Sequence, residues 1–420
     1  MAPSGTHRLT VCVTTIVAAN YLAYAKVLAA SLGRYGTAPL RVLIVDRPTP
    51  EVVAAVRDSG LDCVYAQDLG LADFERIAYK YDILELSTAL KPTFLKRMLA
   101  EGFERVVYLD PDIELHAPLQ PVFAALDSAE IVLTPHALQP VMDGMRPSDI
   151  DFLRAGSFNL GFIAVRRGAD STALLDWWES RCLSYGFADP GHGTFVDQKW
   201  MDLAPSFFTS VHVLRHPGCN VAYWNLHERQ LTREGTHTLE NGGPLCFFHF
   251  SGVQMNAPGE LSKHQTRHRL EPGSELARLV TSYRASLAAA GHTTFSTVRY
   301  TFGTLDDGRP ISGTMRRALL ASTTDEAAPF RADSTFQREL RSAGMTAVSG
   351  DVGPAVDTKH FDQGDRQVTT VNTLIRTLAR VIGTERVLRL ARYGALLTRE
   401  SHLASVLLRR PLEFAHRLRR

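Results

Sequence analysis

The chain has little cysteine and no long hydrophobic run. Its 420 residues hold five cysteines, Cys12, Cys63, Cys182, Cys219 and Cys246, scattered and odd in number. No CxxC pair occurs, so zinc and thioredoxin-type readings have no support, and reduced thiols in a cytosolic protein are the expectation. No stretch of 18 apolar residues exists, so no transmembrane helix is expected. There is no GxGxxG after the first predicted strand, no GxxxxGK[ST], and no GxSxG elbow, which weighs against dinucleotide-dependent dehydrogenases, P-loop enzymes and α/β-hydrolases. His227-Glu228 starts like HExxH, but Leu231 stands where the second His belongs. Internal repeats and low-complexity tracts are also missing.

What is present is ordinary in bulk and uneven in charge. Apolar residues make up 45% and charged residues 21%, as in a soluble globular protein of two or three domains. The net charge of +2 hides a split. Residues 371–420 carry eleven Arg, no Lys and three acids, a net +8 that leaves −6 for the first 370 residues. An acidic body with a basic tail points to a tail that meets an anionic surface.

Hydrophobic periodicity alternates between strand and helix in the first half. Leu9–Val17 reads as a strand rather than a signal peptide, because Thr10, Thr14 and Thr15 interrupt it and a helical pattern, Tyr21–Tyr35, follows. Strands at Leu40–Val45, Cys63–Ala66 and Arg105–Leu109 alternate with helices at Pro50–Ser59 and within Ile83–Leu99, the latter broken or entered near Pro92. Further strands fall at Ile131–Pro135, Ser157–Arg166 and Cys246–Phe250, and a helix at Ser171–Tyr185. This rhythm predicts an α/β fold with a mostly parallel sheet and helices on both faces. The expected division is an α/β domain over 1–285, a helical accessory segment over 286–348, a linker over 349–370 and a basic helical tail over 371–420.

The most informative stretch is Val106-Val107-Tyr108-Leu109-Asp110-Pro111-Asp112. Four consecutive apolar residues suit a strand covered on both faces. Pro111 cannot donate to a ladder, so the strand stops there. Asp110 and Asp112 are two apart and point the same way in extended chain. Two carboxylates at the C-terminal end of a central strand repel unless a cation lies between them, and a hard divalent ion fits.

Four other patterns accompany the aspartates in order: Leu86-Ser87-Thr88-Ala89-Leu90-Lys91-Pro92, Ser157-Phe158-Asn159-Leu160-Gly161-Phe162, Phe195-Val196-Asp197-Gln198, and Phe247-Phe248-His249-Phe250-Ser251-Gly252. Together they resemble the GT-A glycosyltransferases, most closely glycosyltransferase family 8, which includes glycogenin and bacterial lipopolysaccharide galactosyl- and glucosyltransferases. The resemblance covers about residues 8–265 and implies a Rossmann-like GT-A fold, a nucleotide-sugar donor and retention of anomeric configuration. Retaining hydrolases use a closely placed carboxylate nucleophile. For family 8 a same-face route is favoured instead, with the leaving phosphate deprotonating the acceptor.

The resemblance assigns roles residue by residue. Asp110 and Asp112 match the DxD that holds Mn²⁺ or Mg²⁺ on the donor diphosphate. His249 matches the third metal ligand, and Gly252 closes its turn; imidazole favours Mn²⁺. Lys91 matches a basic residue that holds the nucleotide. Asn159 and Gly161 match an N-x-G at the sugar. Asp197 would bind sugar hydroxyls, and Gln198 would face the anomeric carbon opposite the leaving group. Thr14, Thr15 and Asp46 sit where base and ribose belong. The family's turn continues with Lys-Pro, whereas this chain has Val253-Gln254, and Lys263 lies too far along to match. The segment His216–Asn225 reads as a sugar-facing wall or a buried aromatic plug, with Trp177 and Trp178 in the core.

The expected function is transfer of a hexose, from a UDP-sugar, to a glycan or lipid-linked acceptor in surface polysaccharide synthesis. The expected place is the cytoplasm, at the inner face of the membrane. The basic tail (Arg386, Arg389, Arg392, Arg409, Arg410, Arg417, Arg419 and Arg420, interleaved with Leu388, Leu396, Leu403, Leu407 and Leu418) suits an anionic lipid surface rather than nucleic acid. The alternatives are a sugar nucleotidyltransferase, disfavoured by the missing Gly-rich loop, and a non-catalytic GT-A-like scaffold.

Overall fold

A computed structural model describes residues 11–36, 38–232, 238–239, 243–322, 328–345, 366–397 and 399–410. The chain forms two units, one of residues 1–72 and 83–302, the other of 73–82 and 303–420.

The first unit is built on a seven-stranded sheet. In chain order its strands are β1 (Val11–Val17), β2 (Leu40–Ile44), β3 (Asp62–Tyr65), β4 (Arg105–Leu109), β6 (Ile131–Pro135), β7 (Phe158–Arg166) and β8 (Val211–Val213); β5 (Ile113–Leu115) and β9 (Phe247–His249) form a separate pair. The sheet order is β8-β6-β7-β4-β1-β2-β3. Only β7 runs antiparallel to its neighbours, β4 and β6. The other contacts, β1 with β2 and β4, β2 with β3 and β6 with β8, are parallel. The expected mostly parallel α/β architecture is therefore present, with helices after β1, β2, β5 and β7.

The central strands are buried on both faces, as their unbroken apolar runs require. Val106, Val107 and Leu109 are fully buried, as are Val13, Val42 and Ile44. Thr49 caps the helix Pro50–Ser59 through Val52 N, and Gly60, at φ 69°, ends it. The apolar stretch near Pro92 is two helices, Ile83–Ala89 and Lys91–Ala100, because Pro92 fits the first turn of a new helix better than the interior of an old one. Periodicity missed the short β5 and β8 and the helix Gln120–Ser128.

The second unit contains the helices Phe74–Lys80, Gly313–Ala318, Thr335–Ser342, Arg366–Ile382, Thr384–Leu397 and Glu400–Leu408. Arg316 is buried and donates Nη1 to the carbonyls of Ala78, Tyr79 and Tyr81 at 3.3, 3.0 and 2.7 Å. It thereby satisfies the orphan carbonyls at the end of Phe74–Lys80. The expected linker is helical from Arg366, while 349–365 lies outside the described residues, as do Arg417, Leu418, Arg419 and Arg420.

Candidate functional site

The end of β4 builds the site. Leu109 pairs with Phe162 across β7, and the Asp110 N–H donates to the Gly161 carbonyl at 2.7 Å. Ile113 N donates back to the Asp110 carbonyl at 3.1 Å, turning the chain at Pro111 into β5. β5 pairs antiparallel with β9, His249 opposite Ile113, and Phe250 N donates to the Asp112 carbonyl. Two backbone pairings, distant in sequence, thus set His249 beside both aspartates.

The ligand atoms of Asp110, Asp112 and His249 lie within 4.8 Å of one another. His249 Nε2 is 3.0 Å from Asp112 Oδ1 and 3.7 Å from Asp110 Oδ2. An octahedral ion with bonds of about 2.1 Å needs adjacent ligands about 3 Å apart, so this set fits one side of such a shell. Two carboxylates and one imidazole suit Mn²⁺ or Mg²⁺, with nitrogen shifting preference toward Mn²⁺. Burial disfavours a charged His249, but Asp112 and Asp110 outweigh it and raise its pKa. Trp224 lies edge-on to the His249 ring at 5.1 Å. Gly161 packs on its other side: a Cβ there would stand 2.3 Å from His249 Cε1 and 2.7 Å from Nδ1.

Lys91 is 1% exposed, not a solvated helix lysine. Its Nζ donates to the Leu160 carbonyl at 2.6 Å, ion-pairs with Asp197 Oδ2 at 2.7 Å and lies 4.0 Å from Asp110 Oδ1. Burial pushes the Asp197 carboxyl up to about 6, although Lys91 opposes the shift. Tyr108, invisible as a site residue in the sequence, donates its hydroxyl to Asp110 Oδ1 at 2.7 Å. Its own pKa is raised well above the usual value by burial and by Asp110, so the phenol stays a donor.

Gln198 and Asn159 meet, Asn159 Nδ2 donating to Gln198 Oε1 at 3.4 Å, and both also bind backbone. Gln198 Oε1 accepts from Leu160 N at 3.0 Å, and its Nε2 donates to the Ala155 carbonyl at 3.0 Å. Asn159 Oδ1 accepts from Gly161 N and from Asn220 Nδ2, each at 3.1 Å. Asn220 also donates to Thr134 Oγ1 at 2.8 Å. Val196, just before Asp197, has φ 44°, a conformation that costs a β-branched residue about 1–3 kcal/mol and concentrates at functional sites.

Thr14, Thr15 and Asp46, expected near base and ribose, have partners or packing within the chain. Thr14 and Thr15 are fully buried in β1; the Thr14 hydroxyl donates to the Val107 carbonyl at 3.4 Å, whereas the Thr15 hydroxyl is buried without a hydrogen-bond partner. Asp46 is buried and spends both oxygens on the chain, Oδ2 on Ala19 N at 2.8 Å and Oδ1 on Thr301 N and Oγ1 at 2.7 and 2.9 Å. The aromatic presented past the end of β1 is Tyr21, 43% exposed and stacked on Tyr24 with ring centroids 4.5 Å apart.

Gly252 stands at φ 75°, and a Cβ there would meet Ser262 Oγ at 2.5 Å and His264 Cδ2 at 2.6 Å. Lys263, too distant in sequence to be matched, folds back: its N–H donates to the Gly252 carbonyl at 3.2 Å, and its side chain is exposed. In the segment 216–225, Trp224 and Asn225 are buried and Tyr223 is half-buried. Asn225 binds Ala222 N, the His136 carbonyl and the Asn220 carbonyl, which makes it a brace for Asn220. Trp178 is in the core and donates to the Asp197 carbonyl at 2.9 Å. No helix among the described residues is long and apolar enough to cross a membrane.

No family model matches the chain. Among curated proteins, the uncharacterized protein YfnF of Bacillus subtilis (strain 168) is 29% identical over 234 residues, 54% of this chain and 77% of YfnF. The uncharacterized protein YfnD of the same strain is 24% identical over 220 residues, 51% of this chain and 69% of YfnD. Among solved structures, the galactosyltransferase LgtC in complex with donor and acceptor sugar analogues shares 16% identity at a TM-score of 0.38, over 66% of this chain and 95% of LgtC. Mouse xyloside xylosyltransferase 1 shares 18% identity at a TM-score of 0.35, over 57% of this chain and 96% of that one.

Proposed function

We propose that the chain is a metal-dependent GT-A glycosyltransferase. On this reading it moves a hexose from a nucleotide sugar, a UDP-hexose first among them, to a glycan or lipid-linked acceptor with retention of configuration. The observation that carries it is the convergence of Asp110, Asp112 and His249 at the C-terminal edge of a mostly parallel sheet, where open α/β sheets bind ligands. A bound Mn²⁺ or Mg²⁺ supplies charge neutralisation at the donor diphosphate.

The chain's own residues do the rest. Tyr108 and Lys91 fix Asp110, and Lys91 holds Asp197 beside it. Gln198 and Asn159 position the start of β7, so that Gly161 lets the imidazole pack directly against the strand beside the carboxylates. Tyr21 offers a ring face to a base, and Lys263 offers a cation to the diphosphate, at the turn that closes with Gly252. The exposed Leu374, Ile375, Leu378 and Val381 on a basic helix support contact with anionic lipid at the inner membrane face. Binding to anionic but not neutral vesicles checks that part.

The test is nucleoside diphosphate release from UDP-, GDP- and dTDP-sugars with Mn²⁺. Slow hydrolysis of one donor, lost with EDTA and in Asp112→Asn, is expected. No release and no metal-dependent binding of any nucleotide sugar would refute the proposal.

A further inference from the structure

The first unit holds a second cluster of metal-ligating side chains, apart from the carboxylates. His216, Cys219 and Cys246 bring their ligand atoms within 4.8 Å of one another. His216 Nδ1 is 3.7 Å from Cys219 Sγ and 4.0 Å from Cys246 Sγ. A tetrahedral site with Zn–S bonds of about 2.3 Å and a Zn–N bond of about 2.1 Å has N···S edges of about 3.6 Å. The spacing is that of ligands around an ion, and both thiols are free.

We propose that His216, Cys219 and Cys246 bind one thiophilic divalent cation, Zn²⁺ or its analogues, with solvent in the fourth position. Cys219 and Cys246 are buried, and the half-buried His216 leaves one side open. The framework is built for close approach. Gly218 O accepts from Cys246 N at 2.8 Å and Phe247 N at 3.2 Å, and a Cβ on Gly218 would stand 2.1 Å from the Pro244 carbonyl. Arg229, buried and ion-paired with Glu228 at 3.2 Å, donates Nη1 to the carbonyls of Cys219 at 2.8 Å and Pro217 at 3.3 Å, which fixes the backbone that carries Cys219. His216 Nδ1 accepts from Gly218 N at 3.1 Å; as the N–metal bond forms, that hydrogen bond breaks and its lone pair goes to the ion. On binding, two S–metal bonds and one N–metal bond form, and the two thiol protons leave to solvent.

The ion clamps two segments that serve the carboxylate site. Asn220, next to Cys219, donates to Asn159, and Cys246 leads directly into β9 and His249. The residues are positioning residues, not catalytic ones.

The experiment uses the full chain, reduced and stripped with EDTA, then titrated with Co²⁺. One equivalent should produce thiolate-to-cobalt charge-transfer absorption and tetrahedral d–d bands, and Zn²⁺ should displace it. Bound Zn²⁺ should also protect two thiols from a disulfide reagent. Cys219→Ser should abolish the charge-transfer band or weaken it sharply, His216→Ala should lower Zn²⁺ affinity by about 10-fold or more, and Asp112→Asn should leave the band in place. If wild type gives no charge-transfer band, or if the band survives Cys219→Ser unchanged, the site is overturned. Peptide mapping that finds a Cys219–Cys246 disulfide in protein purified without oxidant overturns it too.

Discussion

Gly161→Ala tests the site more sharply than removal of a ligand. A Cβ at 161 would lie 2.3 Å from His249 Cε1 and 2.9 Å from Asn159 Oδ1. Carbon atoms rest about 3.5–4.0 Å apart, so the imidazole must retreat by more than about 1 Å or β7 must shift. β7 is pinned between β4 and β6, and Asn159 is held by Asn220, so the imidazole is the part that moves. Displacing a ligand while keeping its chemistry should weaken metal affinity by about 10–100-fold. Overpacking should add about 1–3 kcal/mol of destabilisation. Isothermal titration with Mn²⁺ and thermal unfolding in EDTA separate the two effects. Gly252→Ala is the control, since its Cβ would strike Ser262 and His264 rather than a ligand. It should lose stability with a smaller loss of Mn²⁺ affinity. Wild-type Mn²⁺ binding in a folded Gly161→Ala protein would show that His249 is not held where Gly161 puts it.

Three further outcomes follow from the same geometry. Lys91→Ala leaves Asp197 buried without its cation and should cost about 3–5 kcal/mol in urea unfolding, with Lys91→Met/Asp197→Leu recovering much of it; a single-variant loss below about 1 kcal/mol would contradict the pairing. Burial lowers the His136 pKa from 6.5 to about 4, so the folded chain binds fewer protons than the unfolded one. That contribution is complete above pH 6.5 and is lost as pH falls toward 4: wild type should lose up to about 3 kcal/mol more than His136→Gln between pH 7 and 4, and parallel curves would refute it. Lys263→Ala should raise the donor KM about 10-fold with little change in kcat, the size of one lost charge-assisted contact; an unchanged KM removes Lys263 from the site.

The strand carrying the aspartates was legible because its apolar run is continuous and Pro111 ends it. The alternation of Leu40–Ile44, Pro50–Ser59 and Arg105–Leu109 likewise needs only local patterning. The reversal of β7 was not legible, because a fully buried strand shows the same unbroken hydrophobicity in either direction. Residue types announced Asp46, Thr14 and Thr15 as polar groups near strand ends, but not that Asp46 spends both oxygens on Ala19 and Thr301 or that both threonines are fully buried. Asn220 reaches Asn159 through a long-range pairing that no spacing records. The same holds for His216, Cys219 and Cys246: the expectation that zinc had no support came from the missing CxxC, and 26 residues separate sulfurs that the fold brings together.

On the proposed reading, charge balance gives the site a reason to hold an ion. Lys91 is the buried cation beside the aspartates, and Asp197 at 2.7 Å neutralises it. Asp110 and Asp112 then carry −2, against which His249, its pKa raised by them, adds at most one positive charge, so the set stays negative without metal. A divalent ion brings the carboxylate pair to zero, and a diphosphate adds negative charge again. The cation within backbone reach of the turn, Lys263, is exposed rather than buried, so it is screened until phosphate arrives. A carboxylate pair without metal therefore repels the proposed donor, whereas a metal-filled pair attracts it. Metal and nucleotide sugar should accordingly bind with strong positive coupling, each raising the affinity of the other by the same factor.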